Sequence, residues 1–110
     1  MEVWYLADAA RERNQLSARD RVALEHAVEK LELCGAQLPA PHQKNVVGAD
    51  RIRELRPRAG RSQFRAFYRQ IDQWMVIGAI GPEHGVDARG FQLAVRQAED
   101  RLEAFEEQQR

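Results

Sequence analysis

The amino-acid sequence predicts an α+β fold, in which an antiparallel sheet is packed by two N-terminal helices and a C-terminal helix. The predicted sheet consists of an N-terminal strand and a three-stranded meander. Apolar residues recur every three or four positions in two long segments, which is the spacing of one helix face. Between these segments lie three stretches rich in β-branched, aromatic or alternating apolar residues, separated by short turns. The chain has 110 residues, and we expect one domain over residues 1–110.

The first third of the chain predicts a strand and two helices. Residues 2–6 favour a strand, since three of them are β-branched or aromatic. Residues 7–15, rich in Ala and Arg, predict a short helix. Ser17 is a suitable N-cap for a second helix over residues 18–34, which Gly35 ends.

The apolar face of this second helix includes its last residue. The face is formed by Leu24, Ala27, Val28, Leu31 and Cys34. Because Cys34 falls on that face, we expect a buried structural thiol rather than a nucleophile.

The middle of the chain predicts a loop and three sequential strands. The loop starts at the proline-containing residues 38–41 and runs to Gly48. The strands are predicted over residues 50–58, 63–71 and 74–80, and the last one is expected inside the sheet because it is apolar on both sides. Short turns between them favour an antiparallel meander.

The C-terminal segment predicts a helix that Asp87 caps. Its apolar stripe has helical spacing and consists of Phe91, Ala94, Val95, Ala98, Leu102 and Phe105. We expect the helices to pack on one side of the sheet, above Trp4 and Trp74, and to leave the other side for a ligand.

Positive charge is concentrated in the middle of a chain whose formal net charge is zero. Residues 44–69 hold eight basic and two acidic side chains, and the basic ones are Lys44, Arg51, Arg53, Arg56, Arg58, Arg61, Arg65 and Arg69. Guanidinium groups suit phosphate, so this segment predicts a surface for nucleic acid. The alternative is a set of solvated strand and turn residues.

Several protein classes are unexpected for this composition. With one cysteine and three histidines that lack metal-ligand spacing, we expect neither a disulfide framework nor a metal site, and no cofactor. The longest apolar run, residues 74–80, is too short to cross a membrane. The N-terminus has no signal-peptide pattern. We therefore expect a cytoplasmic protein without a membrane partner.

Five segments follow one another in an order that carries a family resemblance. They are VWYL at residues 3–6, KLELCG at residues 30–35, LPAPHQK at residues 38–44, RELR at residues 53–56 and FRAFY at residues 64–68. Together they resemble the RelE/ParE toxin superfamily, and within it the HigB or phage-Gp49-like branch of type II toxin–antitoxin systems. The resemblance implies a RelE-like fold.

The resemblance also implies a function and partners. Most members are metal-free endonucleases that cut mRNA on the translating ribosome, and a cognate antitoxin, here expected to be a helix-turn-helix protein, neutralises the toxin in a hetero-oligomer. ParE-type members share the fold and act on DNA gyrase. A gyrase-targeting or catalytically silent member that acts by protein–protein contacts is therefore the alternative. A further alternative is a small protein whose arginine face binds an acidic protein surface.

Three basic residues match the family at positions that bind substrate. Arg56 in the RELR segment matches a basic position of the concave face, and Arg65 matches the arginine near the scissile phosphate. Lys44 holds the family's Pro-x-x-Lys position. The other candidates for RNA phosphates are Arg53, Arg58, Arg61 and Arg69.

The sequence departs from the family after the last strand. Ribonuclease members carry a Lys/Arg pair there, whereas residues 81–85 read GPEHG. Candidates for proton transfer are Glu54, Tyr68, Glu83 and His84, of which His84 is the most suggestive because imidazole titrates near neutral pH. An exposed loop histidine is the alternative for His84, and an ion-pair partner of an arginine is the alternative for Glu54. His42, beside Lys44, could join an active site, but we expect it to be a loop residue.

Overall fold

The protein, described over residues 1–110 by a computed structural model, has five strands and three α-helices. In chain order these are β1 (Glu2–Tyr5), α1 (Ala7–Asn14), α2 (Ala18–Cys34), β2 (Gln43–Asn45), β3 (Arg53–Leu55), β4 (Phe64–Ile71), β5 (Trp74–Pro82) and α3 (Ala88–Gln108). The strands form one sheet in the order β1-β5-β4-β3-β2. The predicted α+β fold is confirmed.

The sheet is antiparallel except at one edge. Strands β2 to β5 pair antiparallel, and β4 and β5 form a hairpin with a tight turn in which Asp72 has a positive φ of 53°. Strand β1 pairs parallel with β5, so the N-terminal strand departs from the predicted antiparallel arrangement. Strand β5 lies between β1 and β4, which confirms the interior position predicted from its apolar sequence.

Two strands differ from their predicted bounds. The strand predicted over residues 50–58 covers only Arg53–Leu55, because Arg51 turns the chain with a φ of 52° and Pro57 has no N–H for a ladder. The predicted loop over residues 38–48 contains β2, which pairs with β3. Backbone hydrogen bonds pair this short polar strand with β3, and no apolar alternation marks it in the sequence.

Helices cover both faces of the sheet. On one face Leu24 and Leu31 of α2 pack against Leu55 and Ile77. On the other face the apolar stripe of α3 packs against Phe67, Ile71, Val76 and Ala79. The expectation of a helix-free sheet face for a ligand is therefore wrong, since β4 and β5 carry apolar residues on both sides. None of the helices combines the length and the apolar composition needed to span a bilayer.

The predicted helix ends are confirmed, but not the burial of Cys34. Ser17 and Asp87 cap α2 and α3 by accepting the backbone N–H of the residue three positions on. Gly35 ends α2 with a φ of 54°. The buried face continues from Leu31 to Gly35, one helical turn later, so Cys34 points to solvent.

The two tryptophans lie at the β1 edge of the sheet. Their ring centroids are 5.5 Å apart, and Trp4 is half-exposed while Trp74 packs beside the α3 core. Trp4 is therefore not buried under a helix as predicted, because β1 is an edge strand and α3 reaches only as far as Trp74.

An ion pair closes the part of β5 that β1 leaves unpaired. Strand β1 ends opposite Ile77, so backbone groups farther along β5 face outward. Glu12 of α1 accepts the N–H of Ile80 at 3.0 Å, and Arg101 of α3 donates to the carbonyl of Gly78 at 3.0 Å. Glu12 and Arg101 also bond each other. Two side chains thus satisfy an open sheet edge.

A buried arginine joins β4 to α3. Arg69 is 1% exposed and donates to Glu106 at 2.6 Å and to the carbonyl of Asp50 at 2.8 Å. Burial by itself would raise the pKa of Glu106, but hydrogen bonds from Arg69 and Arg51 outweigh it and hold this pKa below its ordinary value of 4.5. The ionised carboxylate is therefore part of the folded state.

Glu106→Gln tests the contribution of this pair. At pH 7 we expect the free energy of unfolding to fall by about 1–3 kcal/mol, since Arg69 keeps the Asp50 carbonyl and the outlying Glu103 as partners. A carboxylate whose pKa is lower in the folded than in the unfolded state stabilises the fold at pH values above its unfolded-state pKa. This stabilisation is lost as the pH falls through the folded-state pKa. The difference in the free energy of unfolding between the variant and the parent should thus disappear below pH 4.5. Urea unfolding across pH measures it, with Glu107→Gln, an exposed neighbour, as control.

The close packing of α3 on β5 requires glycine at two positions. A methyl group on Gly81 would overlap with the methyl group of Ala94, and one on Gly78 would lie 2.8 Å from Cγ of Leu102. We expect Gly81→Ala to lower the free energy of unfolding by about 1–3 kcal/mol. Gly85→Ala, at a site with open space around it, should change it by less than about 0.5 kcal/mol. Equal effects in urea unfolding would contradict this account of the packing.

Candidate functional site

A cleft of about 870 Å³ opens at one end of the sheet. Here β3 ends, β4 begins and β5 ends, so the residues that flank these strands meet. The start of α2 and the turn before β2 close the cleft from the side. Its polar and charged lining consists of Arg19, Asp20, His42, Arg56, Arg58, Arg61, Ser62, Gln63, Arg65 and Glu83. Five arginines face two carboxylates there, so the cleft is positively charged.

Three of these arginines have side-chain donors that no protein group occupies. Arg56 is half-buried just after β3, and Arg58 and Arg61 are exposed in the turn that leads to β4. None of the three side chains takes part in an ion pair or hydrogen bond with the protein. Guanidinium groups with free donors bind phosphate or carboxylate oxygens.

The turn that carries two of them is anchored to α2. Gly60 has a φ of 78°, which favours glycine, and the N–H of Arg61 bonds the carbonyl of Arg58 at 2.9 Å. Arg19 of α2 donates to the carbonyl of Gly60 at 3.1 Å. The turn therefore holds Arg58 and Arg61 in front of the first turn of α2.

Arg65 lies at the base of the cleft and is already engaged. Its side chain is 7% exposed, its Nε donates to Glu54 at 3.1 Å, and an Nη donates to Glu83. The other Nη donates to the carbonyls of Ser62 and Phe64 at 3.2 and 3.1 Å. Four of the five N–H donors that a guanidinium group has are thus occupied. A substrate phosphate would meet one remaining donor.

The two carboxylates around Arg65 differ in exposure. The Glu54 side chain is 10% exposed, on β3, and this burial beside a cation is typical of a structural ion pair. The Glu83 side chain is 31% exposed, in the loop after β5. Its backbone N–H bonds the carbonyl of Gln63 at 2.8 Å, which keeps the loop against the start of β4. Glu83 is therefore the partner that solvent or a ligand can reach.

The structure brings some of the candidate residues together and separates others. Arg56, Arg58, Arg61 and Arg65 line the cleft, and Glu54 contacts it through Arg65. Lys44 is exposed on β2, outside the cleft. His84 is exposed, and its ring packs edge-on against that of Phe91 of α3, with 5.3 Å between the ring centroids.

Three more candidates lie elsewhere in the sheet. Arg69 is buried with Glu106 near the other end of β4. Tyr68 and its strand neighbour Arg53 lie on the sheet face that α2 covers. Burial raises the pKa of Tyr68, and the charge of Arg53 offsets this only in part. A buried phenol of this kind is a poor proton donor to a ligand in the cleft.

Five polar residues of the cleft were not predicted as site residues, namely Arg19, Asp20, His42, Ser62 and Gln63. Arg19 starts α2, and the turn at residues 58–61 meets it only in the folded chain. His42 lines the cleft, and its carbonyl accepts the N–H of Arg56 at 2.9 Å. Its position beside the proline-rich segment was the only sequence signal for it.

The chemistry of the cleft suits an anion. Its free donors are guanidinium groups, and His42 and Glu83 can exchange protons with a bound group. No three His, Cys, Asp or Glu side chains come together in a way that would hold a metal ion. A phosphodiester would find positive charge and proton-transfer groups in one place.

Comparison with known proteins agrees with this architecture. Residues 11–77 match the family model described as phage-derived protein Gp49-like. The fold is similar to that of a mutant of the Escherichia coli toxin RelE in the free state, with a TM-score of 0.58 and 15% sequence identity over 87% of this chain and 95% of that chain. A search of curated protein sequences gives no match.

The family match spans more than half of the chain, from α1 into β5, and so includes the turn at residues 58–61 and Arg65 of the cleft. The similarity in fold extends over almost all of RelE. The protein therefore belongs to the phage-derived Gp49-like family and has a RelE-like fold.

Proposed function

We propose that this protein is the toxin of a type II toxin–antitoxin pair and acts in the cytoplasm as a ribosome-dependent, metal-free mRNA endonuclease. The observation that carries the proposal is the cleft with Arg56, Arg58 and Arg61 free of protein partners. An RNA strand offers one phosphate per nucleotide to such a row of donors. The RelE-like fold and the Gp49-like family support the same reading.

The cleft holds the groups that metal-free RNA cleavage needs. The 2′-oxygen attacks the neighbouring phosphorus while the bond from phosphorus to the 5′-oxygen breaks, which leaves a 2′,3′-cyclic phosphate and a 5′-hydroxyl. A base takes the proton of the 2′-hydroxyl, and an acid protonates the leaving 5′-oxygen. Negative charge grows on the non-bridging oxygens, and in this proposal Arg56 and Arg61 stabilise it.

The proton-transfer groups of this proposal are His42 and Glu83. Both line the cleft, whereas His84 and Tyr68 are outside it. Imidazole serves as acid or base near neutral pH. His42 is carried by the turn whose backbone bonds Arg56, so a phosphate held by Arg56 would lie beside the imidazole.

Arg65 contributes in a different way from the free arginines. Its guanidinium group holds Glu54 and Glu83 and so keeps β3, β4 and the loop after β5 together. A phosphate could take two donors of Arg65 only if Glu83 moved aside. Glu83 thus competes with substrate for the donors of Arg65 at the bottom of the cleft.

A partner protein is part of the proposal. A ribonuclease that cuts cellular mRNA harms its own cell unless it is neutralised, so we propose a cognate antitoxin, of the helix-turn-helix type, in a hetero-oligomer with this chain. The positive cleft is the surface whose coverage would stop RNA binding.

One observation favours a second function. The loop after β5 places Glu83 on Arg65 and has no Lys or Arg of its own. This arrangement would suit a member that does not cut RNA and acts on a protein such as DNA gyrase. The same cleft would then bind carboxylates of that protein.

The proposal predicts new mRNA ends that the cleft arginines control. Induced expression in bacteria should stop growth and produce new mRNA 5′ ends, mapped by sequencing. Arg56→Gln and Arg61→Gln should each weaken binding of single-stranded RNA about tenfold or more, because each loses charge-assisted hydrogen bonds. Growth should then continue at equal protein level. Arg65→Ala is a poorer choice, since it leaves the buried Glu54 unpaired.

Arg96→Gln is the matched control for this experiment. Arg96 is exposed on α3, outside the cleft and without an ion pair, so this variant should arrest growth like the parent. Growth arrest without new mRNA ends would support the gyrase alternative, which a supercoiling assay then tests. Full toxicity of both cleft variants would refute the assignment of the site.

Glu83→Gln tests the competition at Arg65. The variant keeps the size of the side chain but removes the charge that holds the guanidinium group. We expect its affinity for single-stranded RNA to rise about threefold to tenfold, with no such gain for Glu107→Gln outside the cleft. Fluorescence anisotropy at constant salt measures both. A loss of affinity in Glu83→Gln would instead show that this carboxylate helps to hold RNA.

A further inference from the structure

A second groove runs along the outer side of α2, next to the cleft. It has a volume of about 790 Å³ and lies between α2 and the turn at residues 58–61. Residues 22, 26, 29 and 33 follow the helix at spacings of four, three and four, so they form one stripe along it. This stripe is separate from the face of α2 that packs on the sheet.

The groove is apolar where α2 faces solvent. Val22 is 49% exposed and Leu33 is 87% exposed, and both line the groove. Ala23 and Ala27, which are buried, form its floor. Two large apolar side chains, about 16 Å apart along the helix, are thus left without a protein neighbour above them.

The charged residues that line the groove are mostly basic. Arg19, Lys30, Arg58 and Arg61 line the groove, and Glu29 is its one carboxylate. His26 and Glu29 lie between Val22 and Leu33 on the same stripe, so its exposed apolar side chains are at its two ends. A partner that fits must therefore place apolar side chains on Val22 and Leu33 and negative charge beside the four basic residues.

We propose that this groove is a docking site for an acidic amphipathic helix of a partner protein. About three helical turns of such a helix would cover the distance from Val22 to Leu33. Helix-on-helix packing matches a stripe with spacings of three and four. RNA fits less well, because Val22 and Leu33 offer nothing to a phosphate backbone.

The groove and the cleft share three arginines. Arg19, Arg58 and Arg61 line both, so carboxylates of a docked helix would take the donors that a phosphate needs. Docking on α2 thus competes with an anion in the cleft. The proposal of a docking surface rests on the geometry of α2 alone. The inference that a docked helix would inhibit RNA binding rests, in addition, on the proposed function.

The experiment uses the full chain and three synthetic helical peptides of 18 residues. The first has Leu along one face and Glu on both flanks, the second has Lys in place of every Glu, and the third has Gln in place of every Leu. We expect the first to bind at least tenfold more tightly than the other two and to shift the backbone NMR signals of α2. Its affinity should fall as the salt concentration rises.

Variants place the binding on α2. Leu33→Glu and Val22→Asp should each weaken the acidic peptide at least tenfold, with unchanged far-ultraviolet circular dichroism. Val47→Glu changes a side chain that is 91% exposed and outside the groove, and it should bind like the parent. Equal binding of the acidic and basic peptides, or unshifted α2 signals at millimolar acidic peptide, would overturn the proposal.

Two further measurements, with lipid vesicles and with RNA, distinguish the docking of a helix from other uses of the groove. Binding to phosphatidylglycerol vesicles that Leu33→Glu abolishes, without peptide binding, would assign the groove to a lipid surface and overturn the proposal. A single-stranded RNA oligonucleotide should displace the acidic peptide from the parent. If the peptide binds α2 and the oligonucleotide binds nowhere, the docking site stands and the proposed nuclease function fails.

Discussion

The architecture is organised around two arginines on one strand that is buried on both faces. Arg65 and Arg69 of β4 both point to the α3 side, with Phe67 between them, and both are almost inaccessible to solvent. A buried guanidinium group is tolerated only with hydrogen-bonded partners of opposite charge. The partners come from β3, the loop after β5 and the end of α3. Meeting this requirement at each end of β4 fixes how these elements are placed.

The same requirement sorts the positive charge of the chain. Arg65, Arg69 and Arg101 are neutralised by carboxylates, so they hold elements together and contribute little net field. Arg56 and Arg61 have no such partners and leave their donors to a ligand. A chain of zero formal net charge can therefore have a positive cleft, because most carboxylates lie outside the cleft, many of them on α3. Local pairing, and not net charge, decides what such a surface attracts.

The pattern of apolar residues predicted the helices and strands whose side chains pack in the core. It did not predict β2, which is paired through its backbone. The helices α2 and α3 follow from apolar spacing, β5 from a continuous apolar run, and β4 from its aromatic and apolar residues. Strand β2 is three polar residues, so nothing in its sequence marked it. The arginines could be counted from the sequence but not sorted, since Arg69 and its partner Glu106 are 37 residues apart. For the same reason the sequence did not show that His42 lines the cleft, or that His84 lies in an exposed loop with its ring against Phe91 of α3.

The turn at residues 58–61 connects the two surfaces of the molecule without any change of shape. Its arginines face the cleft on one side and the α2 groove on the other, and Arg19 ties it to α2 through Gly60. A carboxylate bound from the groove would occupy donors and neutralise charge of the same guanidinium groups that a phosphate bound from the cleft would use, so the two ligands compete. Linkage of this kind needs no second conformation of the protein, since both ligands would contact the same arginines. It would act as direct competition, whose strength grows with the number of arginines that both ligands contact.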